Sequence, residues 1–269
     1  MAKQEDVSKA LTEAPKTVEA PTGLKAMLDS VQYRKRFEDM LGKKAAGFIS
    51  SILTVANQKK ELKVCDPKTI IASAAVAASL DLPIIPSLGF AHIVPYKGWA
   101  QFQMGWKGFV QLAMRTGQYL TMNVAVVHEG ELKKHNRITG EMEFNDISLT
   151  GNEATIGYVA YFKLINGFEK YLYMSKADAI AHGKRYSKSF DSGNWKTNFD
   201  SMALKTVIKM LLSKFGILSI EIQRAIATDQ AVVKEDGSLD YVDGKGAAIE
   251  ADIVVDDPEV VSENINNEK

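Results

Sequence analysis

The spacing of hydrophobic and polar residues along the chain is helical at both ends and alternates by two in the middle. Before residue 81, apolar residues recur every three to four positions, which predicts amphipathic helices. Between about residues 90 and 174 they alternate, as in half-buried strands, and after residue 175 the helical spacing returns. The pattern therefore predicts an α+β fold, with an antiparallel β-meander sheet backed by helices.

The individual elements follow from this spacing and from turn residues. Lys97–Gly98 and Asn166–Gly167 are typical of tight hairpin turns, Ser175 with Asp178 resembles a helix-capping box, and Gly42 is expected to end a helix. The predicted helices cover residues 24–41, 45–57, 69–80, 105–117, 176–183, 197–214 and 217–227. The predicted strands cover residues 90–96, 99–104, 119–127, 141–144, 156–164 and 168–174.

Residues 105–117, GWKGFVQLAMRTG, predict a helix with one apolar face and one polar face. The apolar stripe consists of Trp106, Phe109, Val110 and Ala113. The polar face carries hydrogen-bond donors four residues apart, Lys107, Gln111 and Arg115. Gly105 and Gly108 lack a Cβ and would admit another backbone or a phosphate. By itself the stretch fits either an ordinary amphipathic helix or one wall of a binding groove, in which Trp106 anchors the wall and the cations contact the ligand.

Two further segments carry residues suited to nucleic acid. In the strand 99–104, Trp99, Gln101 and Gln103 share one face beside the turn residue Lys97, and we expect this face to be open to a ligand. Further along, cations and aromatic residues are interleaved in Lys184, Arg185, Tyr186, Lys188, Phe190, Trp195 and Lys196, and the next helix adds Lys205 and Lys209. Cations that follow phosphates and rings that stack on bases are what single-stranded nucleic acid requires. The alternative without a binding role is a solvated loop and helix face whose aromatic residues pack inside the protein.

Charge divides the chain into a basic body and an acidic end. Residues 229–269 hold 12 acidic and 3 basic residues, a net charge of −9, so residues 1–228 carry +9. The polar, unpatterned residues 1–22 predict a flexible arm, residues 23–228 a nucleic-acid-binding domain, and residues 229–269 an acidic, disordered tail. A basic body favours a polyanionic partner, although solubility alone also explains the asymmetry.

Several chemistries lack a sequence signature. The single cysteine, Cys65, excludes an internal disulfide and a thiolate metal cluster, and no GxxxxGK[ST] loop for ATP is present. The four histidines form no metal-binding pair, so we predict no catalytic residue, no metal and no cofactor. A metal-dependent nuclease using Glu129, Glu131 and Asp146 is the weakest alternative. No apolar run is long enough to span a bilayer and no signal peptide is visible, which predicts a cytoplasmic protein with no membrane contact.

Three blocks of sequence resemble the RecT family of phage single-strand annealing proteins. They occur in the family's order between residues 24 and 228 and read SLGFAHIVPY, GWKGFVQLAMRTGQ and WKTNFDSMALKTVIKMLLSKF. The second block resembles the family's helix start at Trp106, Lys107 and Gly108, with Arg115 at its basic end. The third resembles the family's tryptophan and MAxKT helix at Trp195, Met202, Ala203, Lys205 and Thr206. Lys209 stands where the family often has arginine, which keeps the charge but not the bidentate grip on phosphate.

The resemblance implies a function and a set of partners. It implies ATP-independent binding of single-stranded DNA, annealing of the complementary strand, and retention of the new duplex in an oligomeric ring or filament. The implied partners are a 5′ to 3′ exonuclease and a host single-strand binding protein, reached through the C-terminal region, in the cytoplasm of a bacterium that carries the phage or prophage. It also implies a fold similar to the core of the eukaryotic annealing proteins. A passive single-strand coat protein stays open as an alternative.

Overall fold

In the computed structural model, which describes residues 23–234 and 237–241, helices flank antiparallel strands, and the predicted α+β class is confirmed. The helices are α1 Leu24–Asp29, α2 Val31–Leu41, α3 Ala45–Gln58, α4 Lys60–Lys63, α5 Pro67–Ser79, α6 Trp106–Arg115, α7 Lys176–Tyr186, α8 Asn194–Thr197, α9 Phe199–Phe215 and α10 Ile220–Thr228. The strands are β1 Ala91–Tyr96, β2 Trp99–Met104, β3 Tyr119–His128, β4 Leu132–His135, β5 Met142–Phe144, β6 Thr155–Leu164, β7 Glu169–Ser175, β8 Ala231–Val233 and β9 Leu239–Tyr241.

The strands form three sheets rather than one continuous meander. Within the described residues the strand orders are β1-β2-β8-β9, β3-β6-β7 and β4-β5, and every pairing is antiparallel. Helix α6 lies between β2 and β3 in the chain and directs β3 into the second sheet. The first sheet is completed by strands from the far end of the chain, so its two halves meet only in the folded protein.

Both predicted tight turns are present. Lys97 and Gly98 have φ of 47° and 85°, the double positive φ of a type I′ turn, and Tyr96 pairs with Trp99 across it. Gly167 has φ of 89° between the paired strands β6 and β7. Because such φ values suit glycine, these turns set the register of both hairpins locally.

Helices α5 and α9 form the centre of the core. The Ala- and Ile-rich α5 lies against β2, where Ser73 Oγ donates to the Ala100 carbonyl at 3.2 Å and the Ala100 amide donates to Thr69 Oγ1 at 2.9 Å. Helix α9 packs against α6 and against strands of the second sheet, and the Tyr158 hydroxyl donates to Asp200 at 2.6 Å. Helix α9 therefore connects the second sheet to α6, the helix that follows strand β2 of the first sheet in the chain.

The glycines that begin α6 make room for the chain itself. A Cβ on Gly105 would collide with the carbonyl oxygen of Gly89, and a Cβ on Gly108 with that of Phe90. The close neighbour is thus a backbone segment, one of the two alternatives left open by the sequence. The apolar stripe is confirmed, since Phe109 and Ala113 are fully buried.

Two element predictions are wrong. The helix expected over residues 24–41 is divided at Ser30, which is extended (ψ 148°) and whose hydroxyl donates to the Met27 carbonyl at 2.7 Å. Strands β8 and β9 lie in the range predicted to be a disordered tail. They have no sequence pattern of their own, and they are stabilised because β8 pairs with β2 and β9 pairs with β8. The predicted arm, residues 1–22, and residues 242–269 lie outside the described residues. Within the described ranges, no helix has the length and hydropathy needed to cross a bilayer.

Candidate nucleic-acid interface

The β1–β2 hairpin presents a cation and two rings at its tip. Trp99 is 49% exposed, and Lys97 Nζ lies 5.4 Å from the centroid of the Tyr96 ring. The tight two-residue turn fixes the backbone positions of these residues, so no loop has to become ordered before they contact a ligand. Lys97 and Trp99 are both exposed, as contact with a ligand requires.

The other two residues on this face are covered. Gln101 and Gln103 are only 6% and 9% exposed, so the prediction of an amide face open to a ligand is wrong for both. Gln103 Oε1 accepts a hydrogen bond from Asn194 Nδ2 at 3.3 Å, which brings the start of α8 onto β2. Trp99 lies four residues, or about 13 Å, from Gln103 on the same face. The hairpin tip and the α7–α8 segment are therefore neighbours across this sheet.

Helix α6 contributes two exposed cations, one of which is held by hydrogen bonds within the protein. Lys107 is exposed, with Nζ 5.7 Å from the centroid of the Trp106 ring, and Gln111 is half-buried. Arg115 donates from Nη1 to the Leu80 carbonyl at 2.7 Å and from Nη2 to the Asp81 carbonyl at 2.8 Å. Its guanidinium thus satisfies carbonyls at the end of α5, a structural role that the sequence did not indicate.

The α7–α8 segment is half surface and half core. Four predicted cations are exposed, Lys184, Arg185, Lys188 and Lys196, and the Arg185 guanidinium lies 5.3 Å from the centroid of the half-buried Tyr186 ring. Trp195 is 6% exposed and packs edge-to-face on Phe199 at 5.4 Å between ring centroids. The predicted stacking of bases on Trp195 gives way to the alternative in which it packs inside, because neighbouring rings cover it.

Lys205 and Lys209 face a buried carboxylate, contrary to the predicted contact with DNA. Lys205 is 5% exposed, and its Nζ lies 2.7 Å from Asp229 Oδ1, which also accepts the Met104 amide at 3.0 Å. Lys209 Nζ lies 3.5 Å from Asp229 Oδ2. Burial raises the pKa of the Asp229 carboxyl, but the charges of Lys205 and Lys209 outweigh it, so the net shift is downward and the group is ionised. These three side chains are called the Asp229 cluster below.

A small cavity adjoins the Asp229 cluster. It measures about 40 Å³ and is lined by all three cluster residues, with His182, Tyr186 and Trp195 among the others. Binding pockets for drug-sized ligands measure roughly 300–1,000 Å³, so this cavity cannot hold a nucleotide. The cluster ties α9 to β2 and to the start of β8. In the sequence, Lys205 falls among the apolar positions of its helix. Because lysine is rarely buried without a partner, this position indicates a buried acid nearby.

The fold and these exposed side chains together define a class of protein. It is an α+β protein whose exposed cations and rings, at the hairpin tip, at the start of α6 and along α7–α8, suit a polyanion with stacked bases. Among the described residues, no group of three or more His, Cys, Asp or Glu side chains is placed to hold a metal ion. The eight side chains of this surface, called the basic face below, are Lys97, Trp99, Lys107, Lys184, Arg185, Tyr186, Lys188 and Lys196.

Comparison with known proteins identifies the family. The model of the RecT family matches residues 46–241, and the chain belongs to that family. It is 49% identical to the uncharacterized protein YqaK of Bacillus subtilis (strain 168) over 235 residues, which cover 87% of this chain and 80% of YqaK. It is 27% identical to protein RecT of Escherichia coli (strain K12) over 187 residues, covering 66% of this chain and 68% of that protein. Membership supports a role in recombination by single-strand annealing.

Replacing Arg115 tests its structural role. We expect Arg115→Ala to lower the free energy of unfolding by about 1–3 kcal/mol, because two charge-assisted hydrogen bonds to carbonyls are lost. Arg115→Lys should recover only part of this, since an ammonium lacks the planar fork. Denaturant unfolding measures the effect. An unchanged unfolding midpoint together with a smaller salt dependence of DNA binding would instead assign Arg115 to the ligand.

Two half-buried histidines, His92 and His182, make stability depend on pH. Burial and the nearby charge of Lys205 lower the pKa of His92 to about 4, and burial and Lys209 do the same for His182. Between about pH 4 and the ordinary histidine pKa of 6.5, the unfolded chain binds more protons than the folded one, so stability falls on acidification. Each histidine should contribute about 2–3 kcal/mol over this range. Urea unfolding at pH 7.5 and pH 5 should show the loss, and His182→Gln should reduce it.

Proposed function

We propose that this protein binds single-stranded DNA along the basic face and anneals complementary strands without ATP. The observation that carries the proposal is the basic face itself, in which six cations and two rings reach solvent from separate elements of a RecT-family fold. Cations replace the counterions of the phosphates, and rings stack on bases of any sequence. Binding should accordingly be independent of sequence and weaken steeply with salt.

Annealing follows from how such a surface would hold a strand. Contacts to the phosphates leave the Watson–Crick edges of the bases free to pair. A second strand that pairs adds stacking and pairing energy and is retained, whereas a mismatched strand leaves. The protein needs no reacting group for this, and its energy comes from binding. We propose no catalytic residue and no cofactor.

The proposal includes an assembly and partners. Several copies are expected to line one strand as a ring or filament, since a strand longer than one subunit's surface offers adjacent sites. A 5′ to 3′ exonuclease is the proposed source of the strand. The acidic C-terminal residues 242–269, with eight acidic and two basic residues, are the proposed segment for contacting that enzyme and a host single-strand binding protein. The proposed setting is the bacterial cytoplasm, with the gene on a phage or prophage.

One mixing experiment separates annealing from its alternatives. Two complementary oligonucleotides with a donor and an acceptor dye are mixed with the protein, without ATP and with or without Mg²⁺. Energy transfer that appears much faster than with DNA alone supports the proposal. Binding of each strand with no faster pairing would indicate a passive coat protein, and Mg²⁺-dependent shortening of the strands would indicate a nuclease.

A comparison of two tryptophans tests the basic face. Trp99→Ala should weaken single-strand binding by about 1–3 kcal/mol, the measured range for loss of a base-stacking ring, while leaving the unfolding midpoint nearly unchanged. Trp195→Ala should instead destabilise the fold by about 3–5 kcal/mol, because it empties a buried site. Fluorescence anisotropy and thermal unfolding measure both. Unaltered DNA affinity in a folded Trp99→Ala protein would remove this ring from the interface.

A further inference from the structure

The hairpin β4–β5 and the loop that follows it form a projection from the second sheet. This segment, residues 129–154, is called the hairpin lobe. Its two strands pair with each other alone among the described strands. It rests on β7 through ring contacts of Phe144 with Tyr171 at 6.3 Å and of His135 with Tyr173 at 5.3 Å between ring centroids, and Lys170 Nζ of β7 donates to the Thr139 carbonyl at 3.0 Å. The rest of the lobe is mostly exposed to solvent.

The lobe has the composition of a docking surface. Within residues 138–149 four large apolar side chains are exposed, Ile138 at 82%, Leu149 at 42%, and Phe144 and Ile147 at 40% each. Single exposed apolar residues are ordinary, but several within one short projection indicate a surface that another protein covers. The lobe also holds six acidic and three basic residues, a net charge of −3. Its partner should therefore be basic and should offer apolar contacts.

This chain has two regions of matching charge. Residues 176–214 carry eight basic and three acidic residues, but they contain most of the cations of the basic face assigned above to DNA. Residues 23–68, called the N-terminal helices, carry ten basic and five acidic residues, a net charge of +5. They expose Val31 at 82% and Val64 at 78%. In α2 the single fully buried side chain is that of Phe37, so most of this helix faces solvent.

We propose that the hairpin lobe of one copy docks on the N-terminal helices of the next copy. The inference rests on the proposed assembly of several copies and names the two surfaces that build it. The lobe and the helices are different surfaces of the chain, so the contact is head-to-tail: it leaves the N-terminal helices of one copy and the hairpin lobe of the other copy free for a further contact. Such contacts extend into a filament or close into a ring. Opposite charges align the copies, and the exposed apolar residues of both surfaces are removed from water.

Charge reversal tests the pairing without depending on one variant. The lobe variant is Glu141→Lys with Asp146→Lys, which changes the net charge of the lobe from −3 to +1. The helix variant is Lys35→Glu with Lys43→Glu and Lys63→Glu, which changes the net charge of the N-terminal helices from +5 to −1; all five residues are exposed. Assembly of the full chain is measured by mass photometry with and without a long poly-dT strand. Each variant alone should associate at least tenfold more weakly than the unaltered chain. An equimolar mixture of the two, and a chain carrying all five changes, should assemble again, because a lobe of net charge +1 then faces helices of net charge −1.

A control variant carries a charge reversal that lies outside both surfaces. Arg224→Glu, an exposed change outside both surfaces, should assemble normally. Assembly of both charge variants at the unaltered level would overturn the inference, as would a folded mixture that fails to assemble. Loss of assembly on deleting residues 1–22, with the charge variants unaffected, would also overturn it and assign the contact to that segment. Failure of the proposed function is distinguished because it would appear as absent annealing by a protein that still assembles.

Discussion

Asp229→Ala is expected to lower the free energy of unfolding by about 3–5 kcal/mol, the range for removing one partner of a buried ion pair. The change leaves the ammonium of Lys205 in a site that is only 5% exposed, without the carboxylate now 2.7 Å away. The Met104 amide also loses its acceptor, which removes one of the hydrogen bonds that join β2 to the residues at the start of β8. Denaturant unfolding at pH 7 measures the loss.

A double-mutant cycle distinguishes this cluster from an ordinary surface pair. Lys205→Met combined with Asp229→Ala should be less damaging than the sum of the two single changes, because the buried ammonium of Lys205 is removed together with its carboxylate, and only Lys209, whose side chain is 12% exposed, loses this partner. A loss below about 1 kcal/mol for Asp229→Ala would mean that the cluster behaves as a solvated surface pair.

The contribution of Asp229 to the free energy of unfolding should depend on pH with a definite sign. The folded-state pKa of Asp229 lies below its unfolded value of about 3.9, so its contribution is complete above that value and is lost as the pH falls below it.

Replacing the four cations that α7–α8 contributes to the basic face with glutamine is expected to have the largest effect on DNA binding. The variant combines Lys184→Gln, Arg185→Gln, Lys188→Gln and Lys196→Gln. If each cation neutralises one phosphate of a single strand, the slope of log affinity against log salt should decrease by about 0.7 per cation, or about 3 in all. At 0.1 M salt this corresponds to roughly 10²–10³-fold weaker binding. Because the four side chains are exposed, the unfolding midpoint should change little.

A matched set of four cations elsewhere controls for net charge. Lys163→Gln, Lys214→Gln, Arg224→Gln and Lys234→Gln remove the same charge from exposed or partly exposed positions outside the basic face. Fluorescence anisotropy with a labelled oligonucleotide over a salt series should give a nearly unchanged slope for this control. Equal slopes for the two quadruple variants would mean that DNA responds to the overall charge of the protein, and the basic face would lose its special role.

The elements that could be predicted from the sequence are those with a local cause. The Lys97–Gly98 and Asn166–Gly167 turns depend on backbone conformations that glycine favours, and the stripe of α6 depends on helical spacing within ten residues. The division at Ser30 had no glycine or proline to mark it. Strands β8 and β9 are three residues each, too short to show a period, and they exist through pairing with β2 and with each other.

The candidate site was predictable by residue type and less so by orientation. Cations and rings in α7–α8 are visible in the sequence, but whether a ring stacks on DNA or packs inside depends on neighbours distant in the chain. Trp195 is covered by Phe190 and Phe199. Lys205 is paired with Asp229, which composition had assigned to the acidic tail. Asn194, which holds α8 against β2, carried no signal of its own.

The most direct test of the central claim, that the basic face holds the single strand, is photochemical cross-linking. The intact protein is irradiated with an oligonucleotide that contains 4-thiothymidine, and the linked peptides are identified by mass spectrometry. We expect cross-links in the peptides that contain Trp99 and Tyr186, because both rings belong to the basic face and lie beside its exposed cations. We expect none in the peptide that contains Lys205. Cross-links concentrated on residues 199–215, or spread over surfaces outside the basic face, would contradict it.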